Sequence, residues 1–488
     1  MYGSSSAGLT SSVPRRRRSR SRSSMEKEER RFDCVILGGG LSGSVAAVRL
    51  SALGLTVCLL QDGRATVVGT VESISHGAIA VLERMGLARA LRRAEMIRSI
   101  GSRVHWGGET IEVDAAAGSN LIVCHSAFRA ALLDDAECRG VEVHRGTSIS
   151  SVDRGGHGWR VEAETPDGLL RVGGRFMVFA GGRHGHRCGR RRRMSPATLA
   201  LTGRFRAPAA MPARSYVEAG AEWWCWAAPL PADLAQITVF TAPDHPALKA
   251  GSNLESGLRR LLARSGSLAA FADADLDGPL QACDASRTMV FPAIGDDFVA
   301  VGDAAFTIDP LSSQGVVKAV VSAQQAAVAV NTLLRRPDLA SSARDFYLAR
   351  VREAVDWDRR TSGLYYARQA ACMPTPFWVL RSGTPEPQAR CALEPHLALH
   401  FDDATAMVDT PVLCDELIER HPALTHPGLQ RPIAFVGNTP VGALLRGLPR
   451  TATASQLAER WSAALGRHAA ARFVNLLWDR AVLVTAGR

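Results

Sequence analysis

The chain has 488 residues, 46% hydrophobic and 22% charged, with a mean hydropathy near zero. That composition excludes wholesale disorder and leaves room for about three domains of ~150 residues each. The formal charge of +11 rests on 55 arginines and only three lysines, Lys27, Lys249 and Lys318, so any mechanism that needs a lysine has three candidates. Six arginines fall in residues 15–22, RRRRSRSR; without them the charge is +5, and a second run occupies 190–193. Such clustering predicts a disordered basic tail over residues 1–31 rather than a nucleic-acid-binding face. Low complexity through Ser24, before MEKEERRFDC, also fits upstream translation with Met25 as the start. No run of 18 apolar residues occurs and no apolar segment follows the arginines, so neither a membrane span nor a signal peptide is expected. The ten cysteines are scattered without any C-x-x-C, which predicts reduced thiols, no metal site and a cytoplasmic location.

Along the chain, residues 32–37 (FDCVIL) read as an apolar strand. Residues 44–53 read as a helix of small residues, and 55–60 (LTVCLL) as a second buried strand. Together they make a β-α-β unit of dinucleotide-binding size. Residues 72–98 read as helical, 139–180 as alternating strands, and 214–242 as aromatic and β-rich. Residues 298–301 read as a short buried strand and 314–334 as a long Ala/Val-rich helix. After Gly383 the texture turns to Pro-rich loops and short amphipathic helices, which places a domain boundary near 385. No internal repeat is visible.

Gly38-Gly39-Gly40-Leu41-Ser42-Gly43 is a G-x-G-x-x-G turn between strand and helix. Gly38 permits the tight turn, Gly40 lets backbone approach a pyrophosphate, and Gly43 lets the helix pack close to the strand. The helix N-terminus then offers free N–H groups to the phosphates. The acidic residue expected at the end of the second strand is replaced by Gln61, with Asp62 next to it. Residues 301–318, VGDAAFTIDPLSSQGVVK, place a Pro- and Gly-bearing turn before the long helix, whose dipole would stabilise negative charge in front of it.

That second segment resembles the downstream FAD motif of the aromatic-hydroxylase-like flavoproteins. The resemblance implies that Asp303 binds the ribityl chain and that the turn Asp309–Gly315, with Pro310, lies beside the isoalloxazine ring. No second glycine motif is present for a nicotinamide domain, so electrons are expected from transient NAD(P)H or a separate flavin reductase. Further segments resemble the tryptophan-halogenase-like branch: Val71-Glu72-Ser73, His105-Trp106-Gly107, Ala180-Gly181-Gly182-Arg183 and Trp224-Cys225-Trp226-Ala227-Ala228-Pro229. Tyr365-Tyr366 and Pro376-Phe377-Trp378 resemble a non-halogenating sub-branch that includes the flavoprotein maturases of cysteine-tryptophylquinone enzymes. The family's R-x-x-F-D run stands here as His125-Ser126-Ala127-Phe128-Arg129, with His at the arginine position and Arg at the aspartate position, a departure at the arginine that carries the family's pyrophosphate contact. The lysine by which tryptophan halogenases handle hypohalous acid is also missing, since none occurs between Lys27 and Lys249.

The expected architecture is α/β: an FAD-binding Rossmann-like domain over 32–385, a β-rich substrate domain inserted at about 185–295, and a small helical cap over 386–488. The resemblance implies an FAD-dependent monooxygenase that forms a C4a-hydroperoxide with O2 and hydroxylates an aromatic ring. The ring is expected to be a tryptophan of a partner polypeptide in quinone-cofactor maturation. The alternatives are a hydroxylase or halogenase of a small aromatic substrate, and a non-catalytic Arg-tailed interaction protein on a vestigial flavin fold. Gly38, Gly40, Gly43, Gln61, Asp62, His125, Arg129, Asp303, Pro310 and Gly315 are the cofactor-binding candidates. Glu72, His76 and His105 are the catalytic ones. His396, Asp402, Asp403, His421 and His426 match no metal-ligand spacing. Membrane and nucleic-acid partners are not expected.

Overall fold

The computed structural model describes residues 29–63, 70–114, 120–186, 188–249, 253–383 and 390–486. The arginine run at 15–22 and the expected boundary near 385 lie outside them. Strand β1 (Arg30–Leu37) pairs in parallel with β2 (Val57–Asp62) and β10 (Gly168–Phe179), with helix α1 (Leu41–Ala52) crossing from β1 to β2. The first part of β8 (Glu142–Gly155) extends this parallel sheet beside β2, and β18 (Phe298–Ala300) extends it beside β10. Cys34–Leu37 and Val57–Leu60 are buried throughout, as strands covered on both faces must be. The rest of β8, β9 (Gly158–Thr165) and the first half of β10 form an antiparallel meander.

The expected helix over 72–98 is four elements instead. They are β3 (Val71–Ile74), α2 (His76–Arg84), α3 (Ala88–Ala94) and β4 (Glu95–Ser99). Gly86, at φ +79°, turns the chain between the helices. Both short strands pair with β7 (Asn120–Cys124), which precedes α4 (His125–Cys138). Pairing over that sequence distance overrides local helical spacing.

A seven-stranded sheet forms the second layer. Its order is β16 (Gln281–Asp284), β12 (Leu199–Arg206), β15 (Leu234–Thr241), β14 (Trp223–Leu230), β13 (Ser215–Ala219), β5 (Gly101–Trp106) and β6 (Glu109–Asp114). The β-rich unit therefore also draws on 101–114, because β5 pairs in parallel with β13. Helices α5 (Pro246–Lys249) and α6 (Leu254–Leu262) cover one of its faces. The run Arg190–Arg193 is itself a strand, β11, in a small sheet with β17 (Thr288–Phe291) and β19 (Phe306–Thr307).

Helix α7 (Gly315–Arg335) is long and apolar enough to cross a membrane by length and composition, although it holds no unbroken run of 18 apolar residues, but 78% of its most apolar window is buried inside the protein. Helix α8 (Ala340–Cys372) packs on it, followed by α9 (Pro376–Val379). Residues 390–486 have their own core around Trp461, Phe473 and Leu477. They contain the expected amphipathic helices, α10 (Val441–Leu445), α11 (Ala454–Leu465) and α12 (Arg467–Asp479). They also contain strands that local spacing did not announce: β20 (Ala398–Phe401), the hairpin of β21 (Ala406–Cys414) and β22 (Leu417–Thr425), and short partners further on. The C-terminal unit is therefore mixed rather than purely helical.

Candidate functional site

A cavity of about 550 Å³ opens where β1, β2, β10 and β18 end. Gly38 sits at φ +119°, and a Cβ there would lie 2.5 Å from the Ala180 carbonyl carbon, so only glycine closes this turn against β10. Gly43 would place a Cβ 1.9 Å from the Gly38 carbonyl oxygen, which is why α1 can pack directly on the strand end. A Cβ on Gly40 would meet nothing within 4 Å; its backbone is bare toward the cavity. Gln61 lies under Gly39, where its amide accepts from the Gly146 N–H at 3.3 Å and donates to the Asp62 carbonyl at 2.7 Å. The carboxylate lining the cavity at the end of β2 is Asp62.

Three helices start at this cavity: α1, α4 and α7. None has a side-chain cap or an acidic residue in its first turn. Their free N–H groups and positive dipole ends converge on one space, an arrangement suited to a polyanion. His125 and Arg129 project from α4 one turn apart, both into the cavity. Burial lowers the pKa of Arg129. An arginine thus stands one turn beyond position 125, on the same helix face and in the same cavity.

Asp303 lines the opposite wall. Lys318 Nζ and Arg183 Nε contact its carboxylate, the latter at 3.3 Å, and Lys318 also donates to the Phe306 carbonyl at 3.1 Å. Burial alone would raise the Asp303 pKa, but the two cations outweigh it and hold the group at about 2. Gly302, at φ +58°, would put a Cβ 2.0 Å from Ser42 Oγ, so the β18 end and the start of α1 are in direct contact.

The turn before α7 is anchored from below. Asp309 Oδ1 accepts from the Leu311 N–H at 3.1 Å, and the Tyr366 hydroxyl donates to both Asp309 oxygens at 3.1 and 3.2 Å. Arg287 lies 3.5 Å from Asp309 and donates from Nε to Asp358 at 2.6 Å and from Nη2 to the Ser362 hydroxyl at 2.7 Å. Asp358 in turn accepts from the Asp309 backbone N–H at 3.0 Å. Burial drives the Asp309 pKa up to about 6; nearby Asp358 adds to this, while Arg287 and the hydrogen bonds oppose it.

A second cavity of about 300 Å³ adjoins the first across this turn, sharing Glu72, Pro310, Gly315 and Val316 with it. Its floor is one face of the large sheet: Val217, Trp224, Trp226, Gln236, Thr238 and Phe240. Trp224 stacks on Phe240 at 3.9 Å, and Trp106 meets Trp224 and Trp378 edge-on at 6.3 and 5.3 Å. The Trp106 indole donates to the Tyr365 carbonyl at 2.7 Å, and the Trp378 indole to the Ala221 carbonyl at 2.7 Å. Tyr366 joins the same buried cluster. The W-G, W-x-W, Y-Y and P-F-W segments, scattered over 270 residues of sequence at about this spacing, therefore assemble into one aromatic wall.

The candidates read from the sequence divide unequally. Gly38, Gly40, Gln61, Asp62, His125, Arg129, Asp303, Pro310 and Gly315 all line the first cavity; Gly43 shapes it from behind. Glu72 stands at the junction of the two cavities. The two histidines proposed for catalysis, His76 and His105, line neither cavity. His76 is exposed at the start of α2, where its backbone N–H donates to Asn120. His105 points to the sheet face opposite Trp106 and pairs with Thr110 Oγ1 at 2.8 Å. Arg183, Lys318, Asp309 and Phe240 were not among the candidates; the first three stand within motif segments already noted. Lys318 lies three positions after Gly315, on the helix face that meets the cavity. Among the described residues, no lysine lines the aromatic cavity.

Residues 31–229 match the family model described as FAD binding domain. An FAD-dependent oxidoreductase, LodB, of Marinomonas mediterranea is 24% identical over 359 residues, 70% of this chain and 97% of that protein. Among solved structures, the flavin-dependent halogenase CmlS superposes with a TM-score of 0.78 at 19% identity, over 93% of this chain and 96% of that one. Domain, cavity and likeness define the class: the chain is an FAD-dependent monooxygenase of the tryptophan-halogenase-like fold. Within that class it is similar at 27% identity to QhpG, a peptidyl tryptophan dihydroxylase essential for tryptophylquinone cofactor biogenesis. That superposition has a TM-score of 0.74 over 92% of this chain and 99% of the other.

Proposed function

We propose that the protein hydroxylates a tryptophan side chain of a partner polypeptide during maturation of a quinone cofactor, acting in the cytoplasm. The observation that carries this reading is the aromatic cavity, which adjoins the cofactor cavity at Glu72 and the Pro310 turn and has no lysine among its described lining.

FAD fits the first cavity. Its volume lies within the usual range for a ligand site, and the bare Gly40 backbone, three helix N-termini, Arg129 and Arg183 suit a pyrophosphate. Asp62 would accept from ribose hydroxyls and Asp303 from the ribityl chain, and the start of α7 would stabilise negative charge on the reduced ring. When bound and reduced, FAD supplies the activation of O2; NAD(P)H or a separate reductase supplies the electrons. The rest is done by the chain. Val217, Trp224 and Phe240 exclude water and orient an indole against the cofactor side of the cavity. Glu72 accepts the indole N–H and takes up the proton released as the hydroxylated ring regains aromaticity. Residues 390–486 are suited, as a separate unit, to hold the polypeptide.

The test is mass spectrometry of tryptophan-bearing candidate polypeptides incubated with the protein, FAD, a reductant and O2. Addition of one or two oxygen atoms to a tryptophan supports the reading. A chloride-dependent halogenated product, or oxidation of free small aromatics alone, overturns it.

A further inference from the structure

We propose that the hairpin β21–β22 carries a transition-metal site, with Cys414, Glu419 and His421 as ligands and Zn2+ as the chemical class of ion it suits. The site stands apart from the cofactor and aromatic cavities; no residue of the hairpin lines either of them.

The hairpin register puts Thr410 opposite His421, Val412 opposite Glu419 and Cys414 opposite Leu417. Cys414, Glu419 and His421 thus project from the same sheet face, while Arg420 between them points away and donates to the Asp409 carbonyl. Cys414 Sγ and His421 Nε2 lie 3.2 Å apart, and His421 Nε2 and Glu419 Oε2 lie 3.7 Å apart. All three donor atoms fall within 4.8 Å of one another.

Bonds of about 2.3 Å to sulfur and about 2.0–2.1 Å to nitrogen and oxygen, at tetrahedral angles, require donor separations of about 3.3–3.6 Å. The two separations to His421, 3.2 and 3.7 Å, bracket that range within a few tenths of an ångström, and the Cys414–Glu419 pair lies within 4.8 Å. A thiolate, an imidazole and a carboxylate match borderline-soft Zn2+ and disfavour Mg2+ or Ca2+. The residues are partly exposed, at 33% for the His421 side chain and 43% for Glu419, so an ion can enter and keep a water as its fourth ligand.

The other Cys/Glu/His group, Cys58, Glu142 and His144, is unlike it: Arg30 occupies the Glu142 carboxylate at 2.5 Å. At the hairpin, the guanidinium of Arg336, which adds to the field at Glu419, is held by Asp338 at 2.7 Å. The turn after Cys414 is already tied to the body. Asn331 donates to the Glu416 carbonyl at 2.8 Å, Thr332 Oγ1 accepts from the Ile418 N–H at 2.9 Å, and Arg49 meets the Glu416 carboxylate at 3.3 Å. A metal at Cys414 would cross-link the two strands of the hairpin beside this anchor.

The full-length protein, stripped with a chelator and titrated with Co2+ alone, is expected to bind it with a thiolate-to-cobalt charge-transfer band that Zn2+ abolishes. Zn2+ should also raise the melting temperature. C414S and H421A should each lose the band, and E419Q should weaken binding at least tenfold. FAD content in all three is expected to match the parent, which separates loss of the site from failure to fold. A band that persists in C414S, or no band in the parent protein, overturns the proposal.

Discussion

Replacing Arg287 by Met tests whether the buried network under the Asp309 turn holds the cofactor site. Arg287 is 8% exposed and bridges Asp309 and Asp358, and Asp358 is fully buried. Without the guanidinium, Asp358 keeps only the Asp309 N–H, and its Oδ1 already has no partner. Removing one member of such a pair costs about 3–5 kcal/mol, because the surviving charge stays buried. For a cooperative unit spanning residues 29–383, with an unfolding entropy of about 2 cal/mol/K per residue, that is a fall of about 4–7 °C in Tm. The loss should deepen with pH. Losing Arg287 removes an influence that lowers the Asp309 pKa, so the folded-state value climbs further above the unfolded one. The folded protein then favours the protonated acid, and stability falls as pH rises from about 4 through the higher folded value. The assays are thermal unfolding from pH 5 to 8 and FAD content after gel filtration. R287M/D358L, which replaces the pair by apolar side chains, should recover most of the loss. An R287M protein that melts within a degree of the parent and keeps its FAD would refute the reasoning.

Gly43→Ala should weaken FAD binding about five- to 150-fold by fluorescence titration, since overpacking costs about 1–3 kcal/mol and the new Cβ would sit 1.9 Å from the Gly38 carbonyl oxygen. Glu72→Gln should keep its FAD and lower the rate of tryptophan hydroxylation about a hundredfold or more, the usual contribution of a positioned base; an unchanged rate removes Glu72 from the chemistry. In the parent protein, Asp309 contributes stability that is fully present below about pH 4 and fades as pH rises through about 6. FAD affinity should fall over the same interval as the cavity gains a negative charge. D309N, which cannot ionise, should flatten both profiles, and an unaltered profile would assign the effect elsewhere.

Local signals carried the cofactor side of this protein. Gly38 and Gly43 are required by close contacts within a few residues of chain, Gly40 leaves the backbone between them bare, and their spacing in FDCVILGGGLSG was legible for that reason. The same holds for Asp303, Pro310 and Gly315, since one turn and one helix start contain them. The change at position 125 was legible only as a departure; that Arg129 reaches the same cavity from one turn further along α4 needed the helix to be placed. His76 and His105 were chosen by residue type beside a motif, and neither lines the cofactor or the aromatic cavity; strand alternation puts His105 on the opposite sheet face from Trp106.

Residues 72–98 show the same limit in the fold. Their spacing suits helices, but β7, more than twenty residues downstream at about that remove, recruits both ends as strands. The arginine-to-lysine imbalance, plain in the composition, leaves no lysine between Lys27 and Lys249. Only the tertiary structure showed that Lys318 spends its charge on Asp303 in the cofactor wall and leaves the aromatic cavity without a lysine among its described lining. The sequence by itself determined the dinucleotide turn and the helix that faces it, because those depend on neighbours in the chain. The aromatic wall, the Asp309 network and the Cys414–His421 pair were decided by the tertiary structure, because packing brings together groups that the sequence leaves far apart or on strands whose register it does not state.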